Sequence, residues 1–504
     1  MHFSAFGDTM NTMVHLTKEP QEKLRVLHMI ASYTGPEECS WSATEAVIHL
    51  KAKNISPSEL IDAAIKRMKQ VEPSVNAVVT ICEERALKAA QLRESERQQD
   101  DLLSGLPVGI KDLTPVEGVR TTFGNVGYAD FVPQTSDALV SLIERNGGII
   151  LGKTNTPEFG AGANTFNDVF GYTRNPYDTR MNAGGSSGGA AVSLATGELW
   201  LSHGTDLAGS LRTPASFNNV VGLRPTPGRC ASTSPAAFMI EATAGPMARN
   251  VCDLALFLDA MAGVSNVNPL SIEAPQQSFC SMVDTPIDTI KISFSVDQNG
   301  FAPVTPEMQS ILSGAMLKVQ KAGHVVEHDC PDLPNLYETY VIARGLHYAT
   351  MPAQQPMDIR RHYKRTLAEN VASGLKLTLE DFVWAHRQRT IIIHKMAEFF
   401  QKYDVLALPV TGIAPGPVEI EYPLEINGCA QKDYVDWLRF SFLATTCGLP
   451  ALVIPAGFTQ NCLPVGIQLI GKPRGEGHLL QIGRALELIF DINTHPIDPN
   501  IQHQ

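Results

Sequence analysis

Residues 182–229 read NAGGSSGGAAVSLATGELWLSHGTDLAGSLRTPASFNNVVGLRPTPGR. Two serine-centred, glycine-rich loops stand in this stretch, Gly184–Gly189 and Gly204–Arg212, with a helix-like segment between them. Glycine this dense lets backbone N–H groups turn inward and admits angles that a side chain forbids. A serine among inward N–H groups meets two needs of acyl transfer, a nucleophile and a pocket for an oxyanion. Ser210 is the candidate nucleophile. The N–H groups of Leu207, Ala208, Gly209 and Ser210 are the candidate oxyanion hole. The same residues also suit a tight turn with a capping serine, and the first loop also suits a flexible Gly/Ser linker. Ser186 sits in a G-x-S-x-G pattern, which marks a nucleophile elbow only when a strand directly precedes it. Asn175–Ala183 does not read as a strand, so no elbow is expected. No lysine follows the glycines where a phosphate-binding loop needs one.

Upstream, Gly105–Leu113 reads as an apolar strand that ends in Lys111. A lysine at such a place usually snorkels to water. If buried instead, it loses charge by desolvation and becomes a neutral amine able to act as a base. A Ser–Lys pair is a known substitute for a Ser–His pair. Of the fourteen histidines only His203 touches a motif, and it is expected to pack or cap rather than to act as a base.

Around this centre, strands and helices alternate. Ser42–Glu45 and Ser56–Glu59 are capping boxes, the second with Pro57 at the first helical position. Strands are expected over 75–81, 148–152, 290–294, 403–409, 450–458 and 463–471, and helices over 83–97, 137–147 and 251–262. Residues 222–229 and 245–249 read as tight connections, 263–285 as a linker, and 333–402 as helix-rich. The alternation predicts an α/β fold, a sheet sandwiched by helices.

The chain has 504 residues, 44% hydrophobic and 18% charged, with a net charge of −12. This is the composition of a globular enzyme, and its acidity argues against nucleic acid as the main partner. Nine cysteines without a C-x-x-C pair read as reduced thiols in the cytoplasm, with no zinc site. No metal-ligand cluster or dinucleotide fingerprint is found, so neither metal nor cofactor is expected. No apolar run approaches the ~18 residues of a membrane span. Residues 1–40, which lack a signal-peptide core, read as a mobile or loosely packed N-terminal extension.

Taken together, the motifs resemble the amidase signature family. GGSSGG at 184–189, GTDLAGSLRTPA at 204–215 and GLRPTPGR at 222–229 match its ordered signature. The lysine strand at 105–112, GKTNTPEF at 152–159, GPMAR at 245–249 and the segments within 448–471 extend the match to about residues 42–487. The resemblance implies one large domain over 41–495, a twisted mixed sheet wrapped by helices, with 330–402 a variable helical region covering the pocket. It implies a Lys111–Ser186–Ser210 triad in which the Gly185–Ser186 peptide is cis. Ser187 is expected to assist, and Asp206 and Arg212 to form a buried structural pair. Ala208 stands where the family has glycine; its N–H is retained. Phe123, Asn125, Gly160, Met239 and Trp384 are candidate substrate contacts. The activity implied is hydrolysis of a small linear amide, with esters or carbamates as extensions and a homodimer among the expected assemblies. The alternative within the family is the catalytic subunit of a glutamine-dependent tRNA amidotransferase.

Overall fold

The computed structural model describes residues 32–96 and 101–501. Within the N-terminal stretch, residues 1–31 lie outside the described residues, while Glu37–Ser40 forms a helical turn with Cys39 fully buried. The helices used below are α1 (Ala43–Lys51), α2 (Pro57–Val75), α3 (Gly188–Ala195), α4 (Arg212–Phe217), α5 (Val251–Met261), α6 (Leu336–Thr350), α7 (Arg365–Gly374) and α8 (Leu379–Lys402). Both expected capping boxes form: the Ser42 and Ser56 hydroxyls accept from the Glu45 and Glu59 N–H groups, starting α1 and α2.

Eleven strands make one mixed sheet. They are β1 (Val78–Ile81), β2 (Pro107–Lys111), β3 (Ile149–Thr154), β4 (Leu201–Asp206), β5 (Val221–Arg224), β6 (Thr243–Ala248), β7 (Lys291–Phe294), β8 (Val325–His328), β9 (Val405–Pro409), β10 (Ala451–Phe458) and β11 (Pro464–Ile470). Their spatial order is β1-β3-β2-β4-β6-β5-β10-β11-β9-β7-β8. Strand β2 runs parallel to β3 on one side and to β4 on the other. Side-chain alternation along β6 places helices on both faces. Met247 joins a cluster with Ala190, Leu194 and Ala215 of α3 and α4, whereas Ala244 and Ala248 join Val251 and Leu254 of α5.

Several expectations are corrected. Residues 222–229 and 245–249 read as connections in the sequence, yet 222–224 belong to β5 and 245–248 to β6 at the centre of the sheet, and 225–229 turns away from it. Gly222 and Gly245 serve close approach rather than turning: a Cβ at Gly245 would come 2.3 Å from the Leu223 carbonyl oxygen. The second glycine loop begins inside a strand, since Gly204, Thr205 and Asp206 belong to β4. Asn175–Ala183 is not a plain loop either. Arg174–Asn175 pairs with Asp178–Asn182 in a hairpin outside the main sheet, its turn held by the Asn175 side chain accepting from the Tyr177 N–H. The linker reading of 263–285 also gives way in part, to a short helix at Phe279–Val283. Among the described residues no helix is long and apolar enough to cross a membrane.

Candidate active site

The parallel run β3-β2-β4 brings three carboxyl-terminal strand ends to one edge of the sheet, the side on which α/β sheets bind ligands. Lys111 ends β2, Ser210 follows β4, and Gly160 follows β3. All five residues of β2 are buried, and the Lys111 side chain is shut away from the surface. Its Nζ lies 2.6 Å from Ser186 Oγ, 2.9 Å from Ser187 Oγ and 3.0 Å from Thr205 Oγ1. Burial holds its amine well below the ordinary lysine range, against a smaller opposing pull from the Asp206 charge. The approach is opened by Gly204 opposite it, where a Cβ would stand 2.7 Å from Ser187 Oγ.

The GGSSGG loop is built, not flexible. All six residues are buried, and the Gly185–Ser186 peptide is cis. The Thr165 hydroxyl donates to the Gly184 carbonyl and accepts from the Gly188 N–H, tying both ends of the loop. The Ser187 N–H donates to the Ser210 carbonyl at 3.1 Å, stitching the first serine loop to the second. Ser186 and Ser210 line the same cavity, of about 500 Å³, without a hydrogen bond between their hydroxyls. Such contacts commonly tighten only once substrate is bound.

Asp206 organises the nucleophile loop. Its carboxylate accepts from Arg212 Nε at 3.0 Å and Nη2 at 2.8 Å, from Arg224 Nη1 at 3.3 Å, and from the N–H groups of Gly209 and Leu211. Burial pushes this carboxyl up, but the two guanidinium groups and the Leu211 N–H outweigh it and hold it well below the usual carboxylate range. Of the four N–H groups expected in the oxyanion hole, that of Gly209 therefore points to Asp206. Those of Leu207, Ala208 and Ser210 have no acceptor among the described residues. Replacing Asp206 by Asn would strand two buried arginines. Asp206→Asn is expected to lower unfolding free energy by about 3–5 kcal/mol in urea denaturation; a loss under 1 kcal/mol would refute this placement.

A second buried lysine braces the neighbouring loop. Lys153 Nζ donates to the Thr114 carbonyl and to Thr121 Oγ1, and lies 3.2 Å from Asp112 Oδ1. Asp112 accepts in turn from the Thr122 N–H and hydroxyl. This fixes the turn carrying Phe123, which lines the cavity. Gly160 and Met239 line it too; a Cβ at Gly160 would lie 3.4 Å from Ser186 Oγ. Asn125 does not. It is buried behind the wall, with its amide donating to Glu158 and its oxygen accepting from the Gly127 N–H. Trp384 is half-buried on α8 outside the cavity, off the stripe of Ala385, Ile392 and Met396 that faces the protein. His203 is fully buried in β4, and burial above all, with the Lys153 charge adding to it, pulls its ring down to about 3. It stays neutral and does not face the cavity.

Sequence reading missed Thr205 as a lysine partner, and missed Arg344, Tyr348 and Tyr434 on the cavity wall. The spacing of Tyr340, Arg344 and Tyr348 by four was the available signal, since such residues share one helix face.

Fold and site together define an amidase-type hydrolase, and comparison with known proteins agrees. The Amidase family model matches residues 59–480, and the chain belongs to this family. It is an amidase signature amidohydrolase. An acylamidase of Rhodococcus erythropolis is 33% identical over 458 residues, spanning 89% of this chain and 95% of that protein. A glutamyl-tRNA(Gln) amidotransferase subunit of Moorella thermoacetica is 32% identical, spanning 87% of this chain and 94% of that protein. The crystal structure of a bacterial aryl acylamidase of the amidase signature family superposes with a TM-score of 0.83 at 27% identity, covering 90% of this chain and 98% of that one.

Proposed function

We propose that this chain hydrolyses the C–N bond of a linear carboxylic amide through an acyl-enzyme on Ser210. The observation that carries the reading is the buried Lys111 amine 2.6 Å from Ser186 Oγ, at the wall of the cavity that Ser210 lines. Desolvation leaves that amine neutral and therefore basic. Ser210 Oγ attacks the carbonyl carbon; its proton passes to Ser186 Oγ as the Ser186 proton passes to Lys111 Nζ. The N–H groups of Leu207, Ala208 and Ser210 hold the oxyanion. Collapse breaks the C–N bond, and the relay returns a proton to the leaving nitrogen. Water then attacks the acyl ester, giving its proton to the relay, which restores Ser210 Oγ–H. Ser187 and Thr205 orient Lys111 in this scheme.

An alkyl fluorophosphonate tests the nucleophile. A single adduct on the peptide containing Ser210, with loss of anilide hydrolysis in proportion to labelling, is expected. Folded protein that stays unlabelled at Ser210 would count against the proposal. A second reading, glutaminase chemistry within a tRNA amidotransferase, draws on the identity with the Moorella protein. Release of ammonia from free glutamine faster than from aryl and alkyl amides would favour it.

A further inference from the structure

The cavity holds a cation that no carboxylate answers. Arg344 lies on α6 and is 4% exposed. Its Nε donates to Asn370 Oδ1 of α7 at 3.1 Å, Nη1 to Tyr340 Oη at 3.4 Å, and Nη2 to the hydroxyls of Tyr348 and Tyr434, the former at 3.0 Å. The guanidinium carbon stands 4.7 Å from the Tyr348 ring centre and 5.2 Å from that of Tyr434. Among the described residues no aspartate or glutamate pairs with it. Buried Arg67, Arg212, Arg224 and Arg229 each meet a carboxylate, and buried Arg249, which does not line the cavity, donates to the Cys39 and Trp41 carbonyls.

The other ionisable groups around the cavity are already engaged by partners. Asp206 is held by two arginines, and Lys364 pairs with Glu421. Asp137 caps a helix and accepts from the Leu139 N–H, the Ser232 hydroxyl and the Thr233 N–H. His347 beside Arg344 is drawn down to about 4 by burial and by that guanidinium, so it adds no charge near neutral pH. A tyrosine cage satisfies the N–H groups of an arginine through oxygen lone pairs and ring faces but leaves its charge uncancelled. Burying a charge without a counter-charge is unfavourable.

We infer that Arg344, with Tyr348 and Tyr434, is the subsite for a carboxylate on the substrate, so that the preferred amide carries a free acid group. This rests on the amidase reaction proposed above. One uncompensated positive charge suits a monoanion; a phosphate dianion would leave a negative charge over. The phenolic O–H groups, whose oxygens accept from Arg344, remain donors that can turn toward a carboxylate oxygen. The cavity that Arg344 and Ser210 share is also lined by apolar Leu113, Phe159, Met239 and Leu438, which fits the carbon chain or ring that spaces acid from amide.

The test uses anilides of malonic, succinic, glutaric and adipic acid beside their methyl esters, and 4-acetamidobenzoate beside its methyl ester. The first set carries the acid on the acyl side, the second on the amine side. With Ser210→Ala protein as a non-turning binder, calorimetry should show one of these acids binding about 100-fold tighter than its ester. Arg344→Met in that background should abolish the preference while the ester binds as before, and Arg344→Lys should restore part of it. Equal binding of every acid and ester overturns the inference without any variant. So does an Arg344→Met protein, folded by thermal melting, that weakens acid and ester alike. Charge-dependent binding with no amide cleaved by the parent enzyme would leave the subsite standing and remove the reaction.

Discussion

Ser210→Ala is expected to lower kcat for a chromogenic anilide by about 10⁵-fold, with KM changed little. In the proposed reaction the substitution removes the atom that bonds to the acyl carbon, while the cavity, the Lys111 contacts and the N–H groups of Leu207 and Ala208 remain. Loss of a triad nucleophile has this scale because the residues act as a unit, and what remains is catalysis by binding and the oxyanion hole alone. The Ser210 carbonyl that accepts from the Ser187 N–H is backbone and survives the change, so stability should stay within about 0.5 kcal/mol. Kinetics beside a urea melt decide the matter: retention of a tenth of the parent kcat would remove Ser210 from the reaction.

Lys111→Met is expected to lower kcat by about 10⁴-fold, since a positioned base in a coupled triad is worth at least the upper range of general-base catalysis. Two pH measurements separate this from mere damage. Burial holds the Lys111 amine below its ordinary range, and the relay needs it neutral. The parent kcat/KM should therefore rise with pH through the depressed lysine value and level off above it, and the variant should lose that limb. Stability follows the same proton. Between the folded value and the ordinary ~10.4 of an unfolded lysine, the unfolded chain binds more protons, so the parent gains stability as pH rises across that window. The methionine variant lacks this contribution. Its Tm minus the parent Tm should be more positive at pH 7 than at pH 10; a difference independent of pH would mean that Lys111 is charged in the fold.

Much of this site was legible in the chain because its chemistry is local in sequence. GGSSGG and GTDLAGS each place a serine among glycines within a few residues, and a lysine closing an apolar strand stands out by type. What misled was composition where tertiary contact sets the choice. Gly222 and Gly245 read as turn residues, yet they sit in central strands because neighbouring backbone leaves no room for a Cβ. Asn125 and Trp384 stand on segments that could line a pocket, but which way a loop or helix face points depends on what packs behind it. Here that is Glu158 for Asn125 and the stripe of Ala385 and Ile392 for Trp384.

The amino-acid order alone determined the α/β class, the two serine loops and the membership these imply, since helix caps, strand patterning and glycine density act over neighbouring residues. Only the folded chain decided that Thr205 joins Ser186 and Ser187 around Lys111, and that Gly209 serves Asp206 rather than an oxyanion. It also decided that a tyrosine-caged arginine faces the same cavity. The lysine contacts join segments tens of residues apart and are set by strand order and by which side chains are shut away from water, while the Gly209–Asp206 contact, three residues long, is set by how the loop after β4 folds back on itself.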